Sequence, residues 1–393
     1  MASPTLSTQA LHMPEPLRTR RTRRPANAAS RVLLPVLLAS AVLAGCSTQP
    51  PKRSDRSPQD VRAQLQRLMP MTLADRSGWA ADIQAAFQVL ELPPTTANLC
   101  AVLAVIEQES GYQADPPVPG LGRIAREEID RRAAGLGIPT LAVDAALLLK
   151  APDGLRYRDK LAAVRTEREL NDLFEELVAR APMGRGLLAR ANPVRTGGPM
   201  QVSIDYATDQ LRQRPYPYPL EGSVRDEVFS RRGGLYFGIA HLLKYPNSYA
   251  RHLHRFADFN AGHYASRNAA FQAAVSVASG VDLVLDGDLI VHGSKKVGTT
   301  ETAVRSLATS LDMSHRAIRR DLERGDRHDF ERSTLYQRVF ALAQARGGRA
   351  LPRATMPRIT LDSPKISREL TTEWFANNVE RRYRRCEARA AAL

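Results

Sequence analysis

The chain predicts a mainly α-helical protein, and three observations carry that expectation. Apolar residues recur at i, i+3, i+4 and i+7 in most legible segments, the spacing that puts side chains on one helical face. Proline and glycine fall between those segments, as at Pro93-Pro94 and Pro246, where they stop helices. Strand-like alternation is confined to residues 281–291, where Leu285-Asp286-Gly287-Asp288 predicts the turn of a short β-hairpin. An apolar share of 43% with a charged share of 25% fits an ordinary folded chain, long enough for one large domain or two modest ones.

Residues 1–45 predict a leader. Arg18, Arg20, Arg21, Arg23, Arg24 and Arg31 precede an apolar run over residues 32–44. That run is too short for a bilayer, which needs ~20 residues, and has the length of a signal-peptide core. Leu43-Ala44-Gly45-Cys46 resembles the lipobox of bacterial lipoproteins, which makes Cys46 the acylated first residue of the mature chain. Met13 is an alternative start to Met1, and Ser47 resembles the outer-membrane sorting signal. Residues 46–59, rich in Pro, Ser and charge, read as a flexible tether. The expected partners are therefore a membrane, through the lipid, and whatever lies in the periplasm.

Net charge is +15, of which the first 45 residues supply +5. The remaining basic charge suits nucleic acid, anionic lipid or an acidic polymer. The leader excludes chromosomal DNA and ATP, so no nucleic acid partner is expected. With Cys46 assigned to lipid, Cys100 and Cys386 remain, and an oxidising compartment favours their pairing as a disulfide.

Residues 60–92 read as two helices, with Val61, Leu65 and Leu68 on one face and Trp79, Ile83, Phe87 and Leu90 on another. After Pro93-Pro94, Thr95 or Thr96 starts the next helix. There Val102, Val105, Ile106 and Glu109 share one face, apolar until its last member, while Glu107 lies ~200° around. Gly111 supplies the stop. Desolvation of a carboxyl at such a helix end favours its protonated form, the state a general acid needs. The alternative is a solvated helix terminus.

Residues 125–136, 141–149 and 167–180 read as amphipathic helices, and residues 191–199 as a loop delivering Met200-Gln201-Val202-Ser203. Residues 225–245 contain Gly233-Gly234-Leu235-Tyr236-Phe237-Gly238 and then an apolar helix ending before Pro246. Residues 255–274 contain Phe259-Asn260-Ala261-Gly262 in a loop-like setting, while 300–323, 332–346 and 370–389 read as helical, with 349–361 extended. Residues 306–314 have the look of a helix-turn-helix, a pairing common without DNA.

Four pieces stand in the order seen in lytic transglycosylases of the soluble, lysozyme-like superfamily. Ile106-Glu107-Gln108-Glu109-Ser110-Gly111-Tyr112 resembles the catalytic Glu-Ser motif at the end of a buried helix. Gly198-Pro199-Met200-Gln201 resembles the Gly-Leu-Met-Gln segment lining the cleft, with proline where leucine is usual. Gly234-Leu235-Tyr236-Phe237 is similar to the start of the next helix in that superfamily. Phe259-Asn260-Ala261-Gly262 resembles the Tyr-Asn-Ala-Gly motif whose asparagine faces the sugar, without the tyrosine hydroxyl. The resemblance implies a lysozyme-like helical domain over residues 60–280, carrying a long helical insertion at about 120–190. A C-terminal extension over 281–393, containing the hairpin, would pack on it.

The resemblance also implies the chemistry. The substrate would be peptidoglycan glycan strands, with the N-acetyl group of N-acetylmuramic acid as internal nucleophile. Glu109 would serve as general acid and then base, leaving a 1,6-anhydro product with no cofactor. Ser110 steadies the catalytic loop or merely caps the helix. Gln201 and the backbone at Met200 bind glycan, or Met200 fills core. Tyr236 stacks on sugar or packs inside, and Asn260 touches sugar or forms a turn. His241, His252, His254 and His263 lack the spacing of a metal set. The alternative class is a catalytically silent envelope lipoprotein of the same fold that binds glycan or a partner enzyme.

Overall fold

Side-chain caps fix where the helices begin. Ser57, Thr95, Ser203, Ser230, Ser333 and Thr371 each accept a hydrogen bond from a backbone N–H of the first helical turn. Thr166 and Ser223 go further, forming reciprocal capping boxes with Glu169 and Asp226. The computed structural model describes residues 56–180, 192–220, 222–361 and 369–393. The leader, Cys46 and most of the tether lie outside them.

The helices run α1 (Pro58–Leu68), α2 (Arg76–Val89), α3 (Thr96–Glu109), α4 (Leu121–Gly135), α5 (Thr140–Leu147), α6 (Tyr157–Ala163) and α7 (Glu167–Ala179). Two short strands, β1 (Thr196–Gly197) and β2 (Val202–Ser203), pair antiparallel with Thr196 opposite Ser203. Then come α8 (Ile204–Gln213), α9 (Val224–Phe229), α10 (Arg231–Leu243), α11 (His252–Ala261) and α12 (Ala265–Ser279). The chain ends with α13 (Thr299–Ser306), α14 (His315–Leu322), a 3-10 turn (His328–Arg332), α15 (Thr334–Gly347) and α16 (Thr372–Ala391). The protein is thus mainly α. Among the described residues no helix is long and apolar enough to cross a membrane.

Helix α3 is the axis of the first core. Leu99 through Ile106 are all buried, so this helix is covered on every side for two turns. Its main neighbour is α16, which inserts Phe375, Val379 and Tyr383 and is joined to it by the Cys100–Cys386 disulfide, with Cα atoms 5.5 Å apart. Arg385 and Arg382 reach Glu107 at 2.7 and 3.5 Å, and Arg389 hydrogen-bonds the carbonyl of Leu68 on α1. Helices α4, α6 and α7 add Leu121, Leu161 and Leu170 to the same core.

A second core gathers Phe271 and Val275 of α12 with Val304, Ile318, Leu322, Phe330 and Phe340. The packing therefore does not divide at residue 280, where the sequence predicts a boundary. Helix α12 packs with α13 to α15, and α16 returns to the first core. Beside the second core Arg267 is fully buried, with no carboxylate ion pair among the described residues. Its guanidinium donates to the carbonyls of Arg327 (2.8 Å) and Gly325 and lies 4.2 Å over the Tyr264 ring.

One expectation is corrected. The hairpin predicted over residues 281–291 is absent, and the strand pair lies at 196–203 instead. Gln272 supplies the reason: its side chain donates to Asp286 Oδ1 (2.7 Å) and the Asp288 carbonyl, and accepts from Gly287 N (2.8 Å). Those bonds hold the turn against α12, so no cross-strand ladder is needed. The segment 225–245 splits at Ser230, whose extended backbone ends α9 and caps α10. The segment 255–274 splits at Gly262, where φ is +103° and only glycine is comfortable.

Candidate functional site

Glu109 is the last residue of α3, where the helix emerges from the core and its final turn is half-buried. Ser110 ends the helix with both its backbone N–H (3.0 Å) and its hydroxyl (3.1 Å) on the carbonyl of Ile106. This is the capping role of the two open for it. Gly111 and Tyr112 then both take left-handed backbone, φ +57° and +65°. Tyr112 is forced there by its surroundings. Its ring meets Trp79 of α2 edge-on at 5.7 Å, and its hydroxyl donates back to Leu103 O. The chain reversal after Glu109 is therefore fixed by core packing. Trp79 in turn lies under Arg231, which binds Asp82 and Asp75 at 2.7 Å each, linking this corner to the start of α10.

Helix α10 is where two of the motif segments meet. A Cβ on Gly234 would lie 2.4 Å from Pro199 Cδ, and one on Gly238 would lie 2.5 Å from Met200 Cβ. The glycines at i and i+4 thus form a groove that receives Pro199 and Met200. Gly198, at φ +73° against the Val228 carbonyl, makes the turn that delivers them. Gly238→Ala is expected to destabilise the fold by about 1–3 kcal/mol through overpacking. Gly135→Ala, in open space at the end of α4, should be neutral or stabilising by up to about 1 kcal/mol. Urea titration of the two variants compares them, and equal midpoints would remove the groove argument.

This packing corrects two binding assignments. Met200 is 0% exposed, so its side chain is core filler. Tyr236 is 1% exposed, with its hydroxyl donating to Pro215 O at 2.7 Å and Tyr216 packed edge-on against its ring. A strap of Pro215 to Pro219 covers it, held by Tyr216 on Glu227 and Tyr218 on Asp82. A ring so covered presents no face to a sugar. Gln201 remains half-buried, in left-handed backbone at φ 49°, with long contacts of 3.4 Å from its amide to Gly198 O and from the Thr196 hydroxyl. Asn260 is half-buried at the end of α11 and accepts from the Thr372 hydroxyl at 2.9 Å.

The corner carrying Phe259-Asn260-Ala261-Gly262 is built by a residue that no sequence motif marks. Asp258 is fully buried and accepts from Tyr249 O–H (2.6 Å), Tyr245 O–H (3.1 Å), Tyr264 N (2.9 Å) and Ser266 N (2.7 Å). Burial pushes its carboxyl up, and the hydrogen bonds from Tyr249 and Ser266 oppose that. Tyr264 and Ser266 tie the end of α11 to the start of α12 across the glycine break, and Tyr245 and Tyr249 hold the same carboxylate from the segment before α11. Beside it, a cavity of about 110 Å³ is lined by Gly262, Asn268, Asp286, Asp288 and Asp326. Burial, then the charge of Asp286, raises Asp288 there.

Phe259 joins α10 through a stack of rings. His241 lies 4.4 Å from His263 and 5.1 Å from Phe259, and its Nε2 meets the Phe259 carbonyl at 3.3 Å. Burial drives His241 down to about 3, assisted by His263, which burial also lowers. Both are therefore neutral in the fold and take up protons more readily when unfolded. The contribution of His241 is full above about pH 6.5 and falls as pH drops towards 3, by up to about 1.4 kcal/mol per unit, and His263 changes stability in the same direction. Denaturation at pH 7 and pH 5 should show this loss, and His241→Phe should flatten it. An unchanged slope in that variant would contradict the assignment. Among the described residues no three His, Cys, Asp or Glu side chains converge as a metal set.

Fold and site together define a disulfide-closed helical protein with a carboxylate at the mouth of its central helix and two motif segments locked on a neighbouring one. The chain belongs to the family described as "Protein of unknown function (DUF1615)", whose model matches residues 72–389. It is similar to the "Uncharacterized protein YaiW" of Escherichia coli (strain K12), 53% identical over 352 residues, covering 89% of this chain and 96% of the relative. No solved structure matches it.

Proposed function

We propose that this chain is a peptidoglycan lytic transglycosylase, held by lipid on Cys46 at the periplasmic face of the outer membrane, with Glu109 as its general acid and base. The observation that carries the reading is the setting of Glu109. It ends a helix buried from Leu99 to Ile106, and beyond Ser110 come two left-handed residues, of which Tyr112 is pinned by Trp79. That arrangement holds one carboxyl group half out of water at a fixed place, as proton transfer to a leaving oxygen requires.

In the proposed reaction the N-acetyl oxygen of N-acetylmuramic acid attacks C1 while Glu109 gives its proton to the departing glycosidic oxygen. The Glu109 carboxylate then takes the proton of the sugar's C6 hydroxyl, whose oxygen closes on C1 and expels the acetamido oxygen. No water is consumed, and the carboxyl returns protonated. Gln201 and Asn260 remain as half-exposed amides for the glycan, and the polar cavity beside Gly262 is a place for sugar hydroxyls.

The burial of Met200 and Tyr236 and the Thr372 contact on Asn260 favour a second reading, a silent glycan-binding lipoprotein. Incubation of the purified chain with sacculi separates the two. The enzyme releases soluble muropeptides, whereas the silent protein sediments with the sacculi and releases none.

A further inference from the structure

We infer that α5 and the loops flanking it form a membrane-contacting face that seats on an anionic lipid leaflet. Helix α5 is apolar almost all round, yet it buries only Val143 and Leu147. Its opposite face carries Leu141, Ala142 and Ala145, which helical spacing of 100° per residue gathers within about 100° of arc, and exposed Leu148 and Leu149 follow directly at the helix end. Leu141 is 80% exposed, Leu149 59% and Leu148 45%. Leu136 and Ile138 extend the patch at one end of the helix. At the other, the Lys150–Arg156 bridge brings Leu155 alongside. Among the described residues the other exposed large apolar side chains are Met71, Leu220 and Leu393, each single, and five valines spread from Val277 to Val297, all but Val284 between 36% and 41% exposed.

The composition of the face favours lipid over a protein partner. It is aliphatic, without the Tyr, Trp or Phe that dominate the centres of protein interfaces. Two cations stand at its edge, Lys150 and Arg156, both exposed and without an ion pair among the described residues. Bare leucines edged by unpaired cations are the chemistry of an element lying in the headgroup layer. The inference rests on the proposed anchor at Cys46. The 11 residues between Cys46 and Pro58 of α1, at most roughly 3.6 Å each, would keep the bilayer the nearest apolar phase.

The test uses the full lipidated chain reconstituted in vesicles of zwitterionic and anionic phospholipid, with Leu148→Trp as probe. Emission at the new indole should shift to the blue and be quenched at least twofold by acyl chains brominated near the headgroup, while buried Trp79 is not quenched. Lys150→Glu combined with Arg156→Glu should weaken the quenching at least threefold. A probe that stays water-exposed on vesicles that carry the chain would overturn the inference and leave the anchor standing. Loss of vesicle flotation in Cys46→Ala reports the anchor separately. A blue shift that grows with protein concentration in detergent, before lipid is added, would assign the face to a second copy and also overturn it.

Discussion

Glu109→Gln is expected to abolish glycan cleavage, lowering turnover on sacculi by about a thousandfold or more, within the range that a general acid contributes. The amide keeps the shape of the side chain but can neither donate the first proton nor take up the second. In the proposed mechanism one group serves both steps, so no second carboxylate is expected to rescue it. The variant should leave the thermal midpoint within about 2 °C of the parent, since the packing around α3 is made by Leu99 through Ile106. Glu109→Asp should retain partial activity, because the acid is present but withdrawn by one methylene. Full turnover in Glu109→Gln would remove Glu109 from the mechanism. An unfolded Glu109→Gln would show that the side chain is structural.

Breaking the Cys100–Cys386 bridge is expected to have the largest effect on stability. It closes a loop of 286 residues, for which the chain-entropy account gives about 5 to 6 kcal/mol and removals of native bridges commonly about 2–5. For a domain of this size that corresponds to a fall in Tm of roughly 6 to 15 °C. Helix α16 should nevertheless stay docked at moderate temperature, because Phe375, Val379 and Tyr383 remain buried and Arg385 still meets Glu107. Cys100→Ala with Cys386→Ala, compared with the parent with and without reductant, isolates the covalent term from the packing term. A Tm shift under about 2 °C would mean that the bridge restrains little in the unfolded chain.

Much of the first core was legible because local signals agreed there. Pro93-Pro94 with a capping threonine and a closing glycine bounded α3 to within a few residues, and its apolar stripe identified the buried helix. The pairing of Cys100 with Cys386 came from the leader and needed no knowledge of packing. Long-range contacts were hidden. Tyr236 carries the same letters whether it faces a cleft or lies under a strap, and its strap partner Pro215 is 21 residues upstream. Met200 is core because Gly234 and Gly238 leave room for it, a fit that no single segment contains. Asp258 carries no local signal, because its donors come from both sides of α11.

The hairpin failed for a related reason. Alternation over residues 281–291 fits a strand only if a neighbour offers a ladder, and Gln272 of α12 satisfies the turn first. The apolar face of α5 was visible as sequence, since residues 141–149 are almost all aliphatic. Only the fold shows that one side of it is left uncovered.

The most direct measurement is the mass of the fragments that the purified chain releases from sacculi. Glycan-chain ends lighter by one water than the hydrolysed product, formed by the parent and absent with Glu109→Gln, are the result this account predicts. Products bearing an ordinary reducing end, or no release at any enzyme concentration, would contradict it.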